Sequence, residues 1–117
     1  MKKIYYLSSC DTCRRILSEL QPSEYFELQD IKETPISRIE LEELRRLSGS
    51  YEALFSKRAR LFRERGLHEK RLAETDYASL LLDHYTFLKR PVIVANGKIF
   101  IGNSKKTVAA AKENMRT

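Results

Sequence analysis

The apolar positions change period twice in the first thirty residues. A short run, Ile4-Tyr5-Tyr6-Leu7, predicts a strand over about 3–7. Ile16, Leu17 and Leu20 then recur at helical spacing and predict a helix over about 12–20, ended by Gln21-Pro22-Ser23. A partly alternating segment, Tyr25-Phe26-Glu27-Leu28-Gln29, predicts a second strand over 25–29.

The middle of the chain reads as helical. Ser37 and Glu40 have the spacing of a capping box, with Ile36 and Leu41 at the staple positions. Leu41, Leu44 and Leu47 carry that helix to a break at Ser48-Gly49-Ser50. A further helical segment is expected over 51–65, ended by Gly66, and another over 76–85 with Leu80, Leu81 and Leu82. Strands then return: Pro91-Val92-Ile93-Val94-Ala95, the turn pair Asn96-Gly97, and Lys98-Ile99-Phe100-Ile101 form a hairpin signal. A last helix begins near Ser104 and uses Val108, Ala109 and Ala111.

The order is β-α-β, a helical stretch, then β-β-α. A β-α-β start implies a right-handed parallel crossover, and the hairpin adds an antiparallel pair, so the sheet is expected to be mixed. The expected fold is α/β: a glutaredoxin-type β-α-β … β-β-α core with a central all-helical insertion at about 36–88. One domain covers 1–117, because the chain shows neither an internal repeat nor a dividing linker. With 42% apolar and 32% charged residues the chain is globular, and 4 Gly with 3 Pro argue against a turn-rich all-β fold.

The net charge of +6 suits an anionic substrate or an acidic protein surface. The basic residues are spread along the chain, and nothing reads as a groove-entering motif, so direct nucleic-acid binding is not expected. No apolar run approaches the roughly 18 residues of a membrane span. Lys2-Lys3 before Ile4-Tyr5-Tyr6-Leu7 is too short an apolar stretch for an export signal. A cytoplasmic, reducing location follows as the expectation, and a monomer, since no large apolar stripe is left over.

The cysteines then change the picture. Cys10 and Cys13 are the only two, and Cys10-Asp11-Thr12-Cys13 stands where the first strand gives way to the first helix. A thiol there meets unpaired N–H groups and the positive end of the helix dipole, which favour its thiolate. Cys10 is the expected nucleophile. Cys13, inside the first turn and more buried, is near enough to attack a mixed disulfide formed on Cys10. Arg14 and Arg15 add positive charge, while Asp11 opposes the thiolate. Zinc is not expected: it takes about four ligands, and only His68 and His84 join the cysteines, at unsuitable spacing.

Arg90-Pro91 is the second chemical signal. Placed opposite the cysteines, the arginine's planar fork of donors can hold a thiolate and clamp an oxyanion. Lys57, Arg58, Arg60, Arg63 and Arg65 crowd the insertion. On one helix Arg58 and Arg65 share a side (i, i+7), and Arg58 is the candidate to reach the cysteine loop. Thr12, Arg58 and Arg90 together make the candidate oxyanion site.

Four segments together make the chain similar to the ArsC/Spx family of thioredoxin-like proteins, which holds glutaredoxin-coupled arsenate reductases and the Spx transcription regulators. They are Ser9-Cys10-Asp11-Thr12-Cys13-Arg14, Phe55-Ser56-Lys57-Arg58, Leu88-Lys89-Arg90-Pro91-Val92-Ile93-Val94 and Ile101-Gly102-Asn103. The resemblance spans essentially the whole chain. It implies a cis bond before Pro91, attack by Cys10 on arsenate, and Arg90 as one of three oxyanion arginines. The other two family positions fall on Ser56, with Arg58 two residues on, and on Gly102, so two of the three arginines are absent here. It implies no bound cofactor, with glutathione, glutaredoxin or thioredoxin as reductant. Cys13 resembles the Spx-type second cysteine. The alternative reading is therefore a redox-sensing regulator. It would bind the C-terminal domain of the α chain of RNA polymerase (the RNA polymerase α subunit), with Gly49 near the family's contact glycine.

Overall fold

A computed structural model describes residues 1–116 of the chain. Among these residues the contacts fall into two compact units, residues 1–34 with 90–116, and residues 35–89.

The first unit is a four-stranded sheet with two helices. Strands β1 (Lys3–Tyr6), β2 (Glu27–Asp30), β3 (Val92–Ala95) and β4 (Lys98–Ile101) lie in the order β2-β1-β3-β4. β1 pairs parallel with β2 and antiparallel with β3, and β3 pairs antiparallel with β4, so the sheet is mixed as expected. Helix α1 (Asp11–Leu20) connects β1 to β2. The last helix of the chain, over 105–115, closes the unit.

Burial explains why these strands are central. Ile4 faces Ile93 across the β1–β3 pair, and both are fully buried. They pack with Ile16 and Leu20 of α1, with Phe26 and Ala95, and with Val108 and Ala111 of the last helix. Ile93→Ala removes a side chain from the middle of this core. It is expected to cost about 2–5 kcal/mol in urea unfolding.

Local chemistry sets the boundaries. Gln21 takes a left-handed conformation (φ 47°), its N–H bonds Leu17 O at 3.0 Å, and Pro22 bars continuation. Asn96 (φ 52°) and Gly97 (φ 75°) both sit at positive φ, as a two-residue hairpin of this hand requires. Strand β2 begins two residues later than the apolar pattern predicts. A turn closed by Phe26 N–H to Ser23 O holds the chain there, and Tyr25 stands 76% exposed. Lys3, inside β1, is buried but pairs with Glu27 at 3.0 Å and lies over the Tyr5 ring, which offsets the desolvation of its charge.

The second unit is helical: α2 (Arg38–Ser48), a short α3 (Arg60–Glu64) and α4 (Glu74–Asp83), with a single 3-10 turn after each. The capping box forms as read, with Glu40 N–H to Ser37 Oγ at 3.1 Å and Ser37 N–H to Glu40 Oε1 at 3.0 Å. Gly49 closes α2 at φ 95°. The continuous helix expected over 51–65 does not form. Phe55 is extended and bridges Leu88, with Ser56 N–H to Phe87 O and Lys89 N–H to Leu54 O. Its ring packs on Phe62, Tyr77 and Phe87, at centroid distances of 5.7, 4.9 and 5.1 Å. Tertiary packing and a strand-like bridge here override helical spacing. The last helix of the first unit, α5 (Lys105–Met115), is capped by Ser104, whose Oγ accepts from Thr107 N–H.

Candidate redox site

Cys10 is the residue immediately before α1. Its own N–H bonds Leu7 O at 3.0 Å, and its carbonyl accepts from Arg14 N–H at 3.1 Å. The turn out of β1 and the first helical bond thus both fix its main chain. Cys13 lies on the apolar face of α1 with Ile16 and Leu20, and that face carries it into the interior while Cys10 stays half-exposed. Both thiols are free.

The two thiols differ in acidity because their surroundings differ. Burial opposes ionisation of Cys10, but other groups outweigh it: the Cys13 main-chain N–H, the Cys13 thiol, the Thr12 N–H and the Arg90 charge. Cys10 therefore lies below the ordinary thiol range. Burial dominates at Cys13 and pushes it up to about 11. The Cys10 charge and the hydrogen bond to Cys10 add to that rise, while Leu7 and Arg90 oppose it. The pair thus separates into a ready thiolate and a held thiol.

Arg90 reaches this site through strand register. Tyr5 pairs with Val92 at the start of β3, so Arg90, two residues before it, lies near the end of β1 that leads to Cys10, and its charge acts on both thiols. The Arg90–Pro91 bond is cis, as the resemblance implied, and Pro91 O accepts from Gly102 N–H at 2.9 Å. Arg90→Ala is expected to raise the Cys10 midpoint in a thiolate-absorbance titration. An unchanged midpoint would mean that the guanidinium does not act on the sulfur.

Other candidates are placed differently from the sequence reading. Arg14 turns back to Asp11 and donates to Ser8 O at 3.0 Å, so its charge is shared with the carboxylate between the cysteines. Arg58 is exposed in a turn ahead of α3, within the second unit. The i, i+7 relation to Arg65 fails, because no helix joins them; Arg65 pairs with Asp83 at 2.7 Å and covers the Phe87 ring. The family arginine positions at Ser56 and Gly102 carry main-chain roles: Ser56 N–H bonds Phe87 O, and Gly102 adopts φ 95°. His84 Nδ1 accepts from Thr86 N–H at 3.1 Å. Among the described residues no group of three or more His, Cys, Asp or Glu is placed to hold a metal ion. No helix among them is long and apolar enough to cross a membrane.

A strand-helix cysteine pair facing a cis-proline strand invites comparison with known proteins. The sequence model of the ArsC family matches residues 5–111. The chain belongs to the ArsC family. Among curated relatives it is 29% identical over 109 residues to the uncharacterized protein YfgD of Escherichia coli, covering 91% of this chain and 92% of that one. Among solved structures it is similar to an arsenate reductase from Vibrio cholerae, with a TM-score of 0.77 at 22% identity. That match covers 97% of this chain and 96% of the other, and at this identity it bears on the fold. SACOL0876 from Staphylococcus aureus matches with a TM-score of 0.73 at 26% identity, over 95% of this chain and 98% of its own. As an ArsC-family chain, the protein places its two cysteines, its cis-proline and Arg90 within one unit of the fold.

Proposed function

We propose that this protein is a thiol–disulfide oxidoreductase of arsenate reductase type, with Cys10 as nucleophile and Cys13 or an external thiol resolving. The observation that carries the reading is the split between the two thiols: Cys10 lowered at the open end of α1 and Cys13 held protonated beside it. Family membership supports it at the level of thiol redox chemistry.

With arsenate, the Cys10 thiolate forms an S–As bond and water leaves. Arg90 and the N–H groups at the start of α1 stabilise the oxyanion charge. A second thiol, from Cys13 or glutathione, then attacks the Cys10 sulfur. The S–As electron pair passes to arsenic, which leaves as As(III), while two thiols become one disulfide. Glutaredoxin or thioredoxin returns that disulfide to thiols. Arg90 belongs to the same unit as the cysteines, and its charge favours the Cys10 thiolate, which suits a small anionic electrophile.

The test is a coupled assay of arsenate with glutathione and glutaredoxin, or with thioredoxin, reading As(III) release. Turnover is the expected result. Absence of turnover, together with a Cys10–Cys13 disulfide after mild oxidation, would instead favour the Spx-like regulator. Capture of the RNA polymerase α subunit, switched by that disulfide, would then be the assay.

A further inference from the structure

Ser8 is gripped from both sides. Its hydroxyl donates to Asp30 Oδ2 at 2.5 Å, across from the end of β2. Its carbonyl accepts from Arg14 Nη1 at 3.0 Å, from the first turn of α1. Each anchor is itself held. The other Asp30 oxygen accepts from Lys32 N–H, and Arg14 pairs with Asp11. The main chain on either side is also tied: Ile31 N–H bonds Tyr6 O at 2.9 Å, and Cys10 N–H bonds Leu7 O.

We propose that Asp30, Ser8 and Arg14 form a positioning clamp for the nucleophile, holding residues 7–10 so that the Cys10 sulfur stays at the open N-terminus of α1. The inference rests on the redox reading above. None of the three touches the substrate in it; they act through the placement of the sulfur.

The physical argument is one of freedom. Four residues separate β1 from α1, and the N–H groups of Thr12 and Cys13 help the thiolate only while the sulfur remains beside them. Asp30 supplies an anchor from a neighbouring strand and Arg14 one from the helix, so the turn cannot follow either element alone. Charge supports the same arrangement. Ser8 is the largest influence holding the Asp30 carboxyl below its usual range, so the acceptor stays ionised. Arg14 also draws off the Asp11 carboxylate, the one anion between the two cysteines.

The experiment is the pH–rate profile of Cys10 alkylation by iodoacetamide on the full chain, followed by peptide mass. Ser8→Ala is expected to slow the reaction at pH 7 by about three- to tenfold, with the high-pH limiting rate unchanged. Ser8→Thr, which keeps the hydroxyl, should restore the wild-type profile. Ser8→Ala with Asp30→Ala should be no slower than Asp30→Ala alone, because Asp30→Ala already removes the bond to the Ser8 hydroxyl. A wild-type midpoint below about 8.5 with an unchanged profile in Ser8→Ala would overturn the clamp and leave the redox reading standing. A wild-type midpoint at or above that value would overturn both. If Ser8→Ala fails to melt cooperatively, Asp30→Leu, close in size and without an acceptor for the Ser8 hydroxyl, gives the same readout, and a wild-type profile there overturns the clamp.

Discussion

Cys10→Ser is expected to abolish turnover, with a loss on the order of 10⁴-fold or more, as removal of a reacting nucleophile generally gives. The reason lies in the first bond formed. A serine hydroxyl at the same place has no accessible anionic form near neutral pH, and the modest help from Thr12, Cys13 and Arg90 that lowers a thiol cannot ionise it. The fold should be intact, because Cys10 is half-exposed and its structural ties, to Leu7 O and Arg14 N–H, run through the main chain. The measurement is As(III) release under glutathione and glutaredoxin, alongside the thermal midpoint. Residual turnover above a few per cent with an unchanged melt would transfer the nucleophilic role elsewhere, and Cys13 is the other thiol available.

The contrast with Cys13→Ser makes that result specific. If glutathione resolves, Cys13→Ser retains turnover; if Cys13 resolves, turnover falls and a mixed disulfide accumulates on Cys10. Either outcome is compatible with Cys10 as the attacking group, so the two variants separate nucleophile from resolver.

What could be read from the sequence follows the range of the interactions involved. The Ser37–Glu40 box, the Asn96-Gly97 turn and the position of Cys10 before α1 are decided within a few residues, and each stands where the pattern put it. The segment over 51–65 failed because the decisive partner of Phe55 is Leu88, far along the chain. Helical spacing of apolar residues does not tell a helix from a run that folds over an aromatic cluster. The side that Arg58 and Arg65 were expected to share failed for the same reason, since one continuous helix was its premise. Ser8 and Asp30 carried no signal at all. A serine before a cysteine pair and an aspartate ending a strand are ordinary until parallel pairing of β1 and β2 brings them together.

Iodoacetamide at pH 7 is expected to label Cys10 alone, with a rate ratio over Cys13 on the order of 10³ or more. A thiol with a pKa of about 11 is ionised in only about one molecule in 10⁴ at that pH, and full burial further limits access. Raising the pH increases both rates, Cys10 levelling off first. The same two causes imply a change of state during the reaction. Part of the rise at Cys13 comes from the Cys10 charge and from the hydrogen bond to Cys10, and a mixed disulfide on Cys10 removes both. The Arg90 charge, which favours the Cys13 thiolate, stays in place. Blocking Cys10 as a methyl disulfide should therefore make Cys13 more acidic at the moment it is required to attack. Methanethiol release with closure of the Cys10–Cys13 disulfide is the expected outcome by mass. Persistence of the methyl disulfide over hours at pH 8 would show that the buried thiol is a packing residue, and would leave resolution to an external thiol.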